Sequence, residues 1–238
     1  MDYEFDTKTE WAKRFSALCL AGELMYGAKV RFKDESRWMR FLGALLFFNR
    51  DFMTGYTTTL FRTVWFPSRA DIVGSPEWAF QTLAHELVHV DRCGGKWLRW
   101  VWFSLKYLFP QCLALLSLGA VSAFWVGPIG LIPLLLLGSL LPWPAPFRVE
   151  EEIWGYAMSE VVKAWCRGRR WTGPVNNSWQ GEFLKSGYYF MARNWEPVRK
   201  RIELRCGWME GEGHWPLGAA IRTICLFGVD AYMASVKR

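Results

Sequence analysis

The sequence predicts an α+β chain that is mostly helical, with a small edge-strand sheet and an inserted hydrophobic helical hairpin. Three observations support this class. Apolar residues recur at three-to-four spacing, the mark of a buried helix face, through most of the chain. A single stretch, 57–66, has the β-branched and aromatic character of a strand. Between Tyr107 and Phe147 there is no Asp, Glu, Lys or Arg. The elements fall into four stretches: N-terminal helices over 1–56, a strand and motif helix over 57–96, the hydrophobic hairpin over 97–147, and a helical remainder over 148–238.

In chain order, Trp11, Phe15, Leu18, Cys19 and Met25 predict a helix over 9–27 that ends at Gly27. Asp34 is placed to cap a second helix over 35–50, whose apolar run Phe41–Phe48 is too short to cross a bilayer. Residues Thr57 to Phe66 then predict one continuous strand, which Pro67 stops.

Pro76 and Glu77 suit a helix first turn, and Gly94-Gly95 suits its end. Inside that helix lies Leu83-Ala84-His85-Glu86-Leu87-Val88-His89-Val90, an H-E-x-x-H pattern. Residues four apart share a helix face, so His85 and His89 aim two imidazoles at one point. Neutral imidazole nitrogens bind Zn2+ at about 2.0–2.1 Å, and Glu86 beside the first ligand is the natural general base for a zinc-bound water. Two of the three histidines in the chain sit in this motif.

The charge-free run splits at Gly127-Pro128-Ile129-Gly130, a turn signal. The first arm has the length a bilayer crossing needs, and the second, Leu131–Trp143, reaches it with help from the turn and the exit. Trp97, Trp100, Trp102 and Trp143 near the outer ends read as interfacial aromatics. Arg92, Lys96, Arg99, Lys106 and Arg148 put positive charge at both ends. The expectation is an integral two-pass hairpin with the active site facing the cytoplasm.

Leu141 to Phe147 is proline-rich and reads as extended. A helix over 149–165 follows, with Glu150, Glu151 and Glu152 in its first turn, where carboxylates suit the positive end of the helix dipole. Further helices are expected near 180–206 and 217–236.

The rest of the composition limits the alternatives. Of the 238 residues 52% are hydrophobic and 16 are Trp, more bulky apolar groups than a soluble core of this size needs. Six scattered cysteines without C-x-x-C argue against a disulfide framework or a Cys-rich zinc knuckle. The acidic N-terminus Met1–Asp6 has no signal-peptide pattern. The net charge of +7 fits nucleic acid or anionic lipid.

Two histidines leave a catalytic zinc site one protein ligand short. The candidates are His214, in Glu212-Gly213-His214-Trp215, or a carboxylate among Glu150–Glu152. Here the chain resembles the gluzincin metallopeptidases, in which a later helix of the form E-x-x-A-(D/N/Y) supplies a Glu ligand. In Glu152-Ile153-Trp154-Gly155-Tyr156, Glu152 takes the ligand position and Gly155 that of the small residue, with Glu151 the neighbouring alternative. Tyr156 stands where the larger families carry Asp, so the usual outer carboxylate is missing or comes from elsewhere, with Asp91 and Glu160 as the candidates. The layout, with a hydrophobic hairpin between H-E-x-x-H and the Glu helix, is similar to the membrane-embedded CaaX-processing and heat-shock type peptidases. The resemblance covers about 57–160.

That resemblance implies a zincin-like metallopeptidase core and zinc-dependent hydrolysis of a peptide or protein substrate. His85, His89 and Glu152 would hold Zn2+. Glu86 would take a proton from the attacking water and pass it to the leaving amine. His214 is the candidate donor to the oxyanion, with Tyr156 and Tyr188 behind it, and the strand 57–66 would pair with extended substrate. Two readings compete. One is a non-enzymatic membrane protein whose H-E-x-x-H is a chance or relic match. The other is a nucleic-acid-associated protease, suggested by Arg167-Gly168-Arg169-Arg170-Trp171 and Arg199-Lys200-Arg201. Anionic lipid is the simpler partner for basic residues beside a hydrophobic hairpin, so nucleic acid is not expected.

Overall fold

Helix α1, Glu10–Tyr26, begins where Thr9 Oγ1 accepts from the Ala12 amide at 3.1 Å. It ends at Gly27, whose φ of 65° only glycine adopts at no steric cost. A computed structural model provides these coordinates, and it describes residues 9–45, 51–94, 97–109, 112–113, 117, 127–140, 146–184, 191–211 and 215–236. The chain is mostly helical with one small sheet, as the sequence predicts.

Strand β1, Lys29–Phe32, follows α1 and was not expected from the sequence. Helix α2, Arg37–Leu45, is capped by Ser36, whose Oγ accepts from the Met39 amide at 3.2 Å. The expected cap, Asp34, instead lies in the turn between β1 and that cap. The expected continuation over 46–50 lies outside the described residues.

The predicted strand 57–66 is two strands, β2 at Thr58–Leu60 and β3 at Thr63–Phe66. Phe61 takes φ 54° and turns the chain, so β2 pairs antiparallel with β3, Thr59 opposite Val64. Strand β1 pairs parallel with β3 on its other side, Val30 opposite Val64, and the order is β1-β3-β2. Among the described residues β2 therefore lies at an edge of the sheet.

A short helix α3, Arg69–Gly74, precedes the motif helix α4, Pro76–Cys93. Pro76 opens α4, where its missing N–H is no loss, and Gly94 caps its end. Helix α4 buries Phe80, Leu83, Ala84, Leu87, Val88 and Val90. It packs against α1, α3 and β2. At Gly22 of α1 the two helices come close, since a Cβ there would meet Leu87 Cδ2 at 2.8 Å.

Helix α5, Trp97–Tyr107, starts the apolar region. Trp102 is exposed, as an interfacial aromatic would be, but Trp100 is buried. Most of the first expected arm, and Trp143, lie outside the described residues. In the second arm, residues Gly127–Leu140 form a 3-10 segment. Helix α6 spans Pro146–Trp165. It starts three residues before the expected point because Pro146 serves as a helix opener. Glu150–Glu152 consequently lie beyond the first turn, and the dipole does not account for them.

The helix expected near 180–206 is two helices, α7 at Gln180–Leu184 and α8 at Trp195–Gly211. Asn194 Oδ1 accepts from the Glu196 amide at 3.1 Å, and Pro197 fits the first turn of α8 but would break a longer helix. Helix α9, Pro216–Val236, packs against α1 and α4 and is kinked at Gly228, φ 87°.

The contacts divide the chain into two compact units. The first comprises 1–96, 154–174 and 202–238 and contains the sheet, α1–α4, most of α6 and α8, and α9. The second comprises 97–153 and 175–201.

Candidate metal centre

The i, i+4 spacing on α4 does what the sequence predicts. The Nε2 atoms of His85 and His89 lie 3.2 Å apart, and both residues are buried. Two nitrogens each about 2.0–2.1 Å from one tetrahedral Zn2+ lie roughly 3.3–3.4 Å apart, so the pair already has the spacing of two ligands. A hydrogen bond, with one ring protonated at Nε2, fits the same separation.

Helix α6 meets these rings with its smallest residue. A Cβ built on Gly155 would lie 2.4 Å from Cε1 and 2.5 Å from Nε2 of His85. Glycine at 155 is thus a packing requirement. One residue further on, the Tyr156 ring stands edge-on to His85, with centroids 4.8 Å apart and planes at 79°. Glu152 lies one turn back along α6. Its carboxylate, His85 and His89 offer ligand atoms all within 4.8 Å of one another, and the three residues are buried. Glu151 is buried as well but is not part of this group, because adjacent helix residues point about 100° apart. Among the described residues no other group of His, Cys, Asp and Glu converges in this way.

Two imidazoles and one carboxylate form a borderline-soft donor set suited to zinc, and three protein ligands leave a tetrahedral position open. A buried carboxylate beside two buried imidazoles is costly without a cation or hydrogen bonds to offset its desolvation. The donor set therefore fits a divalent metal.

Around this group the structure adds contacts that sequence reasoning missed. Thr59 Oγ1 on β2 donates to Glu86 Oε2 at 2.6 Å, holding the expected general base from the edge strand. The Tyr107 hydroxyl at the end of α5 donates to Glu152 Oε1. The partners in these contacts are 27 and 45 residues apart in sequence, and no periodicity signals them.

The expected outer carboxylates, Asp91 and Glu160, both have partners in the structure. Asp91 Oδ2 accepts from Trp215 Nε1 at 3.0 Å. It also hydrogen-bonds Tyr26, whose phenol is pushed well above its ordinary range by burial first and by Asp91 second. Glu160 pairs with Lys163 at 2.8 Å. His214 and Tyr188 lie outside the described residues, though Trp215, the neighbour of His214 in sequence, is anchored two residues past His89 through Asp91.

The comparisons with known proteins return nothing to set beside this geometry: no protein-family model, no curated protein and no solved structure matches the chain.

Proposed function

We propose that the chain is a zinc-dependent peptidase with a gluzincin-type ligand set. The observation that supports this best is the convergence of His85, His89 and Glu152 beside a Glu86 that is already oriented by Thr59. His85 and His89 would hold the metal through Nε2, and Glu152 through a carboxylate oxygen. A bound Zn2+ would supply Lewis acidity and a water acidified toward neutral pH.

The remaining chemistry belongs to the chain. Glu86 is partly exposed, unlike the three ligand candidates, so it can reach both solvent and a substrate. Its carboxylate accepts the proton of the attacking water and returns it to the leaving amine. The Thr59 hydroxyl occupies Oε2 and leaves Oε1 for that transfer. Strand β2 is an edge, and an extended peptide can add to it by main-chain hydrogen bonds, which give affinity with little side-chain selection. His214 is the donor we assign to the oxyanion.

We place this activity at a membrane. Exposed apolar groups on α5 (Leu98, Trp102, Leu105) and on the 3-10 segment (Ile129, Leu131, Leu135) support that placement, with exposed Arg99 and Lys106 beside them. The two-pass hairpin with a cytoplasmic site is our working arrangement.

Glu86→Gln should retain zinc and lose hydrolysis of a casein-like substrate by at least a thousandfold. His85→Ala/His89→Ala should lose both. Full zinc occupancy in the double variant would end the assignment. His214→Ala should keep zinc and lower turnover.

A further inference from the structure

We propose that Tyr107 is a positioning residue that fixes the Glu152 side chain as the third metal ligand. This rests on the metal-site reading above. A Glu side chain has three free torsions and loses up to about 2 kcal/mol of rotamer freedom when held in one orientation. Metal-binding carboxylates are accordingly hydrogen-bonded by outer groups, whose loss typically costs about 10–100-fold in metal affinity. The Tyr107 hydroxyl donates to Glu152 Oε1 and so restrains the carboxylate from a second element.

The tyrosine is itself gripped. Its ring stacks on Phe103, one turn back on α5, with centroids 5.8 Å apart and planes at 19°. The Arg148 guanidinium lies 4.7 Å over the ring centroid. Arg148 stands one turn before Glu152 on α6, so the helix that carries the ligand also carries a clamp on the ligand's donor. A cation over the ring draws electron density from the phenol and makes its O–H a stronger donor.

Zinc affinity, read by competition with a chromophoric chelator, tests this without a known substrate. Tyr107→Phe keeps the ring and its stacking but removes the hydroxyl, and should weaken zinc binding about 10–100-fold. In the Glu152→Gln background the same change should add less than a threefold loss, because the group it orients is gone. Phe103→Leu, which loosens packing but keeps the hydroxyl, should cost less than Tyr107→Phe. Wild-type affinity in Tyr107→Phe, or an equal loss in both backgrounds, would overturn the role of Tyr107. No zinc binding by the wild-type chain would overturn the metal site itself, and this role with it.

Discussion

At the residue scale, the pair His85 and His89 was legible because helix periodicity converts a spacing of four into proximity. Glu152 and Gly155 were legible only together, as a candidate ligand and a small residue three positions on. The structure gives that spacing a physical content. The glycine lets α6 come close enough for a carboxylate one turn away to reach two imidazoles on α4. Gly155→Ala should therefore displace the His85 ring or push the helices apart. We expect a loss of about 1–3 kcal/mol of stability, the usual cost of overpacking, and a zinc affinity reduced at least tenfold. Thermal unfolding and chelator competition on the same preparation measure both. An unchanged affinity would mean that the ring is not held by this contact. Thr59 and Tyr107 were not legible, because a hydroxyl that meets a carboxylate on another element leaves no local pattern.

At the scale of elements, long apolar periodicities were read correctly and non-local pairings were not. Helices α1, α4 and α6 stand close to where caps and apolar faces put them. Strand β1 is four residues long and gains its stability from parallel pairing with β3, more than thirty positions later. Nothing in Lys29-Val30-Arg31-Phe32 alone announces it. The turn at Phe61 was missed for a different reason, since a bulky residue at φ 54° is not turn chemistry.

The sheet is also tied to the following segment by Lys33, a fully buried cation at the end of β1. Its Nζ donates to the carbonyls of Phe52 and Tyr56, both at 2.5 Å, and lies 4.3 Å from the Phe52 ring centroid. Burial lowers its pKa from 10.5 to about 8, with the Glu86 carboxylate pulling the other way. Between these values the unfolded chain holds a proton that the folded chain has released, so folding stability rises with pH across that window. Below about 8 both states are charged and the fold bears the whole desolvation cost. Chemical unfolding of wild type and Lys33→Met at several pH values isolates the effect. The difference between them should climb from pH about 8 to about 10.5 and be flat on either side. A flat difference throughout would mean that the ammonium is not desolvated in the fold.

At the scale of the whole molecule, hydropathy left the membrane element ambiguous. The sequence concentrates its charge-free residues in 107–147, most of whose first arm is outside the described residues. Among the described residues, α9 is the one helix long and apolar enough to cross a bilayer, with a mean hydropathy of 1.4 over its best window. A core helix meets the same criterion. Leu217, Ile221 and Ile224 are buried, and the helix packs against α1 and α4. At Gly228 the backbone leaves helical geometry, with φ 87° and ψ 172°. In the membrane arrangement proposed above, lipid contact falls to the apolar run and packing to α9. Single lysines distinguish the two, because a charge costs about 2.5–3.5 kcal/mol at the centre of a span and little on a solvent face. Leu135 in the 3-10 segment is 79% exposed and Phe227 on α9 is 71% exposed, so neither substitution disrupts a core. Leu135→Lys should reduce partitioning of the full chain into anionic vesicles by tenfold or more, and Phe227→Lys should leave it within twofold. The opposite pattern would make α9 the membrane element and 127–140 an ordinary surface segment.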